Sequence, residues 1–115
     1  MQAPTVSPED AKILTLARAT MARTQADEGA AVRDLDGRTY AAAKVNLASL
    51  QLGALQVAIA MAVSSGARGL EAAAICSIHG SGATVDLDLV REFGGIDVPV
   101  FIADKTGVTQ DVLTT

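Results

Sequence analysis

Few side chains in this chain have the chemistry of a reactive or metal-binding group. One cysteine and one histidine are its only soft ligands. Cys76 and His79 stand three residues apart at the end of an apolar run, and in ideal strand geometry an odd spacing points two side chains to opposite faces. The plain reading is a small buried cysteine and an exposed loop histidine. Adding Asp86 makes a Cys/His/Asp or His/Asp metal set that still lacks a fourth partner. His79-Gly80-Ser81-Gly82 stands before a helix, where backbone N–H groups can hold an anion. It has neither the length and lysine of a P-loop nor the spacing of a dinucleotide fingerprint, so a turn needing flexible residues accounts for it more simply. Ser81 as a nucleophile would need an oriented base; His79 is the sole histidine and there is no third member.

Two glutamines, Gln51 and Gln56, interrupt an otherwise apolar stretch. A buried glutamine must be hydrogen-bonded, and a subunit interface is the role taken first for them, a pocket the second. Arg33, Asp34, Asp36 and Arg38 surround a turn and are read as a solvated hairpin tip.

The elements that must position these residues follow from capping and periodicity. Ser7-Pro8-Glu9-Asp10 is a helix start, with Ser7 as cap, Pro8 at the first helical position and acids at the positive end of the dipole. That helix is expected to reach about Ala26, stopped by Asp27-Glu28-Gly29. Ala30-Ala31-Val32 begins a strand, Asp36-Gly37 turns, and Arg38 to Lys44 returns antiparallel. A second helix is expected from Leu50 to Ser65, capped by Ser49 and ended by Gly66, with Leu52, Leu55, Ile59 and Val63 along one buried side. A helix apolar all round is a buried helix, so it needs a second helix layer or a subunit interface. Leu70 to Ile78 reads as a central strand covered on both faces. A third helix over Val85 to Phe93, a buried strand over Val98 to Ala103, a turn at Asp104-Lys105-Thr106-Gly107 and a strand over Val108 to Leu113 complete the order αββαβαββ. The expectation is one domain over 1–115: an α/β fold, a three-layer α/β/α sandwich on a mixed five-stranded sheet.

Bulk properties exclude several classes. At 115 residues and half apolar, the chain can bury a sizeable core, built on alanine and small aliphatics because Tyr40, Phe93 and Phe101 are the only aromatics. A net charge of −4 lacks the basic face that nucleic acid requires, and scarce aromatics give no stacking platform. Met1 to Val6 carries neither a charged leader nor an apolar run, so no secretory signal is expected. The apolar stretch near Leu50 to Val63 is too short for a membrane span. A lone cysteine suits a reducing compartment, and a cytoplasmic protein is expected.

The stretch from Gly29 to Gly107 resembles the cytidine deaminase family. The resemblance rests on Asp36-Gly37-Arg38 before a strand, Ala62-Val63-Ser64-Ser65-Gly66 ending an apolar helix, Arg91-Glu92-Phe93-Gly94-Gly95, and Val98-Pro99-Val100-Phe101-Ile102-Ala103. In that family the second helix opens with Cys-Ala-Glu or His-Ala-Glu. The first residue binds zinc and the glutamate shuttles protons. Gly53-Ala54-Leu55 stands there. The third helix opens with Pro-Cys-x-x-Cys; here the run is Gly82-Ala83-Thr84-Val85-Asp86, so Ala83 and Asp86 replace the cysteines. The family's Asn-x-Glu ribose pattern becomes Lys44-Val45-Asn46, followed by a loop about two residues shorter.

These replacements bear directly on chemistry. A hydrolytic zinc needs three protein ligands and an open position for water, and glutamate must move protons at that water. Glycine and alanine donate nothing, one aspartate builds no site, and leucine carries no proton. No cofactor is therefore expected, and zinc-dependent deamination by this chain alone is not. What the resemblance implies instead is an inactive homologue kept for binding or structure, assembled as a dimer or tetramer through the helix Leu50–Val63, since family members of this length are typically tetramers packed through the second and third helices. Asn46, Gln56, His79 and Ser81 are the candidates to contact a small metabolite in the former nucleoside pocket; a protein partner is the other possible ligand. The alternative is a divergent nucleoside deaminase whose ligands come from a neighbouring subunit or another chain.

Overall fold

The computed structural model describes residues 6–80 and 85–115. Its first helix, α1 (Pro8–Thr24), starts as its sequence requires. Ser7 Oγ accepts the Asp10 N–H at 3.2 Å, and Pro8, Glu9 and Asp10 fill the first turn. The helix stops two residues short of expectation because Gln25 turns left-handed at φ 56° and gives its N–H to the Ala22 carbonyl. Glu28 and Gly29 therefore belong to strand β1 (Glu28–Asp34), which pairs antiparallel with β2 (Thr39–Ala43).

The turn between them is solvated at Asp36 and Arg38, as expected, but not at Asp34. Asp34 is buried, its Oδ1 accepts the N–H groups of Asp36 and Arg38 at 2.9 Å each, and its Oδ2 accepts the Tyr40 hydroxyl at 2.9 Å. Burial pushes the Asp34 carboxyl upward, but the Tyr40 hydroxyl, the two N–H groups and the Arg38 charge outweigh it and hold it below its ordinary value. Arg33 ties three elements together, with Asp10 of α1 and Glu71 of the central strand each at 3.0 Å.

A second correction concerns residues 45–53. Val45–Leu47 (β3) and Leu50–Leu52 (β4) form a separate antiparallel hairpin, and α2 runs only from Ala54 to Ser64 with Gly53 as its cap. Leu50-Gln51-Leu52 alternates with period two, which suits a strand better than the helical period assigned to it, and Ser49 lies in the hairpin turn instead of capping a helix. Gly66, at φ 90°, follows the end of α2 as expected. The remaining elements are β5 (Leu70–Ser77), α3 (Leu87–Gly94), β6 (Pro99–Ala103) and β7 (Thr109–Thr114).

The main sheet has the order β2-β1-β5-β6-β7, antiparallel except for the β5–β6 pair. Alternation along its strands sorts the core into two layers. On one face Ile13, Leu14, Ala17 and Met21 of α1 pack on Ala31, Ala72, Ala74, Cys76 and Phe101. On the other, Ala54, Leu55, Ala58, Ile59 and Ala62 of α2 and Val90 of α3 pack on Ala30, Val32, Ala73, Ile75 and Val100. This is the expected three-layer α/β/α sandwich. Leu55 and Ile59 each contribute roughly 1.5–3 kcal/mol by leaving water. The buried side of α2 differs from the expected one: Val63 is 51% exposed, Met61 40%, and Leu52 belongs to β4. The one sheet face can bury only part of an apolar circumference, so the outer side of α2 stays in contact with solvent. Among the described residues no helix is long and apolar enough to cross a membrane.

Candidate functional site

In sheets with parallel strands, ligands bind beyond the carboxyl ends of the strands, where helices start. In this fold that place is a cleft of about 600 Å³ beside the end of β5, where the first residues of α2 and α3 meet. Gly53, Leu55 and Gln56 line it from α2, Val85 and Asp86 from the start of α3, and His79 from the turn after β5. Glu28 and Lys44 close it from the side of β1 and β2.

Helix starts leave N–H groups unpaired and concentrate positive partial charge. Gly53 has no side chain to cap α2, and its first turn holds no acid. The caps come from elsewhere: Gln56 Oε1 accepts the Gly53 N–H at 2.9 Å, and Glu28 Oε1, from 26 residues earlier, accepts the Ala54 N–H at 3.0 Å. Asp86 caps α3 through Oδ1, which accepts the Leu89 N–H at 3.1 Å. The His79 side chain is exposed, and its backbone N–H donates to Ser77 Oγ at 3.0 Å.

The fold thus gathers Gly53, Leu55, Gln56, His79 and Asp86 at one cleft. Gln56 is exposed and caps its own helix, in place of the buried interface glutamine expected from sequence. Asn46 is not among them: it is exposed on β3 and lines a neighbouring groove with Asp27, Gln25 and Thr24, Lys44 bordering both. Ser81 and Ala83 lie outside the described residues. Cys76 faces the other way, fully buried under α1 with its Sγ donating to the Asp104 carbonyl at 2.9 Å. Burial pushes its thiol up, with Asp104 adding to the rise and Arg18 opposing it. The Cys/His/Asp set is thereby split across the sheet.

Glu28 was not foreseen, and Lys44 was noted only as a departure from the family's ribose pattern. Glu28 was read as part of a helix stop; counting by twos from Ala30 and Val32 puts it on the α2 side of β1, and that signal was present.

The donors do not fit zinc. Gly53 and Leu55 offer no ligand atom, Cys76 is on the far face, and Glu28 and Asp86 each spend a carboxylate oxygen on a helix N–H. Among the described residues no three His, Cys, Asp or Glu side chains are grouped to hold a metal ion, where a catalytic zinc needs three protein ligands.

Comparison with known proteins locates this arrangement. Solved cytidine deaminase structures share the fold. Cytidine deaminase from Burkholderia pseudomallei is similar at TM-score 0.76 and 22% identity over 90% of each chain. The enzyme from Mycobacterium leprae is similar at 0.65 and 22%, also over 90% of each. A point mutant of cytidine deaminase from Mycobacterium tuberculosis is similar at 0.67 and 24%, over 84% of this chain and 85% of that one. No curated protein matches the chain. The family model described as cytidine deaminase-like matches residues 6–107, and the chain therefore belongs to the cytidine deaminase-like family.

Proposed function

We propose that this protein is a zinc-independent, non-deaminating member of its family that works as an oligomeric binding protein. The observation that carries the proposal is the cleft itself. Its two helix starts are capped by the chain's own Glu28, Gln56 and Asp86, and at the position that the resemblance gives to the proton shuttle the side chain is Leu55, 4% exposed. Leucine cannot carry a proton to or from a bound water. The cleft's volume falls within the range of small-molecule sites, and Leu55 and Val85 are the apolar part of a lining that is otherwise largely polar.

The outer face of α2 supports self-association. Residues 54–64 contain no charged side chain, and Ala60, Met61 and Val63 face solvent. An uncharged face of small and apolar residues meets no like-charge repulsion when set against its own copy, as a two-fold interface requires.

The test is zinc per chain by elemental analysis of untagged protein purified without chelators, combined with ammonia release from a panel of nucleosides. The expected result is zinc near zero and no turnover. One zinc per chain with turnover would overturn the proposal and direct mutation to His79 and Asp86.

A further inference from the structure

We infer that Glu28 sets the charge of what the cleft accepts: its carboxylate is an internal anion at the start of α2, making the cleft a site for uncharged polar small molecules and closing it to phosphorylated or otherwise anionic ones. The inference rests on the reading of the cleft as a ligand site and adds its selectivity.

The N–H groups of Gly53 and Ala54 are two of the four that the start of α2 offers to an incoming anion. Both are taken, one by Gln56 Oε1 at 2.9 Å and one by Glu28 Oε1 at 3.0 Å. A side chain attached to the fold competes with any free anion at a high effective concentration, and it repels that anion as well. The charge balance points the same way. Glu28 and Asp86 bring two negative charges to the lining and Lys44 one positive. The two helix starts add roughly half a positive charge each. The sum is close to zero, so a ligand bearing net charge of either sign would be left uncompensated in the cleft. Neutralising Glu28 alone leaves an excess of one positive charge beside exposed helix N–H groups and Lys44.

The experiment titrates inorganic phosphate into wild-type protein, Glu28→Gln and Glu28→Ala at pH 8, with binding followed by calorimetry and by the NMR signals of His79. Glu28→Gln keeps an acceptor for the Ala54 N–H and so preserves the cap, which guards against a variant that merely fails to fold. The expected result is no saturable binding to wild type and saturable binding to Glu28→Ala, at least about tenfold tighter than the weakest binding the titration detects, as expected for loss of a unit charge a few ångströms away, with Glu28→Gln in between. Phosphate binding by the wild type that shifts His79, or no gain in either folded variant, would overturn the inference. Neither result depends on zinc content or turnover, so the selectivity can fail while the wider reading stands, and the reverse.

Discussion

Replacing Gly29 with alanine tests the packing that brings Glu28 to the cleft. Gly29 lies in β1 between Ala43 and Cys76, directly under α1. A Cβ there would overlap the Ala17 carbonyl oxygen, and would stand 2.9 Å from Met21 Cβ and 3.0 Å from the Met21 backbone nitrogen. Two of those three atoms are backbone, so no rotamer change relieves the overlap; α1 must shift away from the sheet. Adding a methyl to a tightly packed site costs typically 1–3 kcal/mol, and the backbone contacts place Gly29→Ala at the upper end, about 3 kcal/mol. For a domain of this size that lowers Tm by roughly 12 °C. Gly53→Ala is the internal control. Its Cβ would lie at ordinary contact distances, 3.6 Å from Glu28 Oε1 and 3.7 Å from Gln56 Oε1, on a backbone with φ −66°, so its cost is below about 1 kcal/mol. Urea denaturation read by circular dichroism compares the two. If Gly29→Ala were as stable as Gly53→Ala, the close approach of α1 to β1 would be wrong, and with it the placement of Glu28.

The pH dependence of stability has a definite sign. Hydrogen bonds from Tyr40, Arg38 and Asp36 leave the folded Asp34 carboxyl below its ordinary value despite burial, and the Thr106 hydroxyl, opposed by burial and aided by two backbone N–H groups and Gln110, does the same for Asp104. Their stabilisation is fully present above that ordinary value and is lost as pH falls through the lower folded values. The Tm gap between wild type and Asp34→Asn should therefore be constant above about pH 5 and narrow in stronger acid; a gap independent of pH would rule out the ionised-acceptor account. For the outer face of α2, light scattering should give a dimer or tetramer for wild type and a monomer for Val63→Asp, while a monomeric wild type would refute self-association through this helix.

The site was legible in the sequence only in part. Gly53, Leu55 and Asp86 were placed by family spacing and Gln56 and His79 were named as candidate ligand contacts, and all five line one cleft. Asn46 was placed by the same reasoning, but it pairs with Gln51 in the β3–β4 hairpin and lines the neighbouring groove. Asp34 was misread as solvated because a charged residue near a turn is usually exposed; its burial depends on Tyr40, six residues on, donating to it across the hairpin.

Local rules were enough wherever the determining atoms are close in sequence. The Ser7 cap, the Gly66 stop, the apolar run of β5 and the alternation that sorts alanines to two sheet faces could all be read without coordinates. So could the loss of ligand chemistry, since glycine and leucine have no donor atoms in any fold. Tertiary structure alone decided which side of α2 is buried and which carboxylate caps it. Cys76 and His79 separate because the sheet has two faces, whereas Glu28 and Ala54 meet across 26 residues because β1 and α2 pack together. The charge balance of the cleft is set by that last contact, between groups that no local pattern connects.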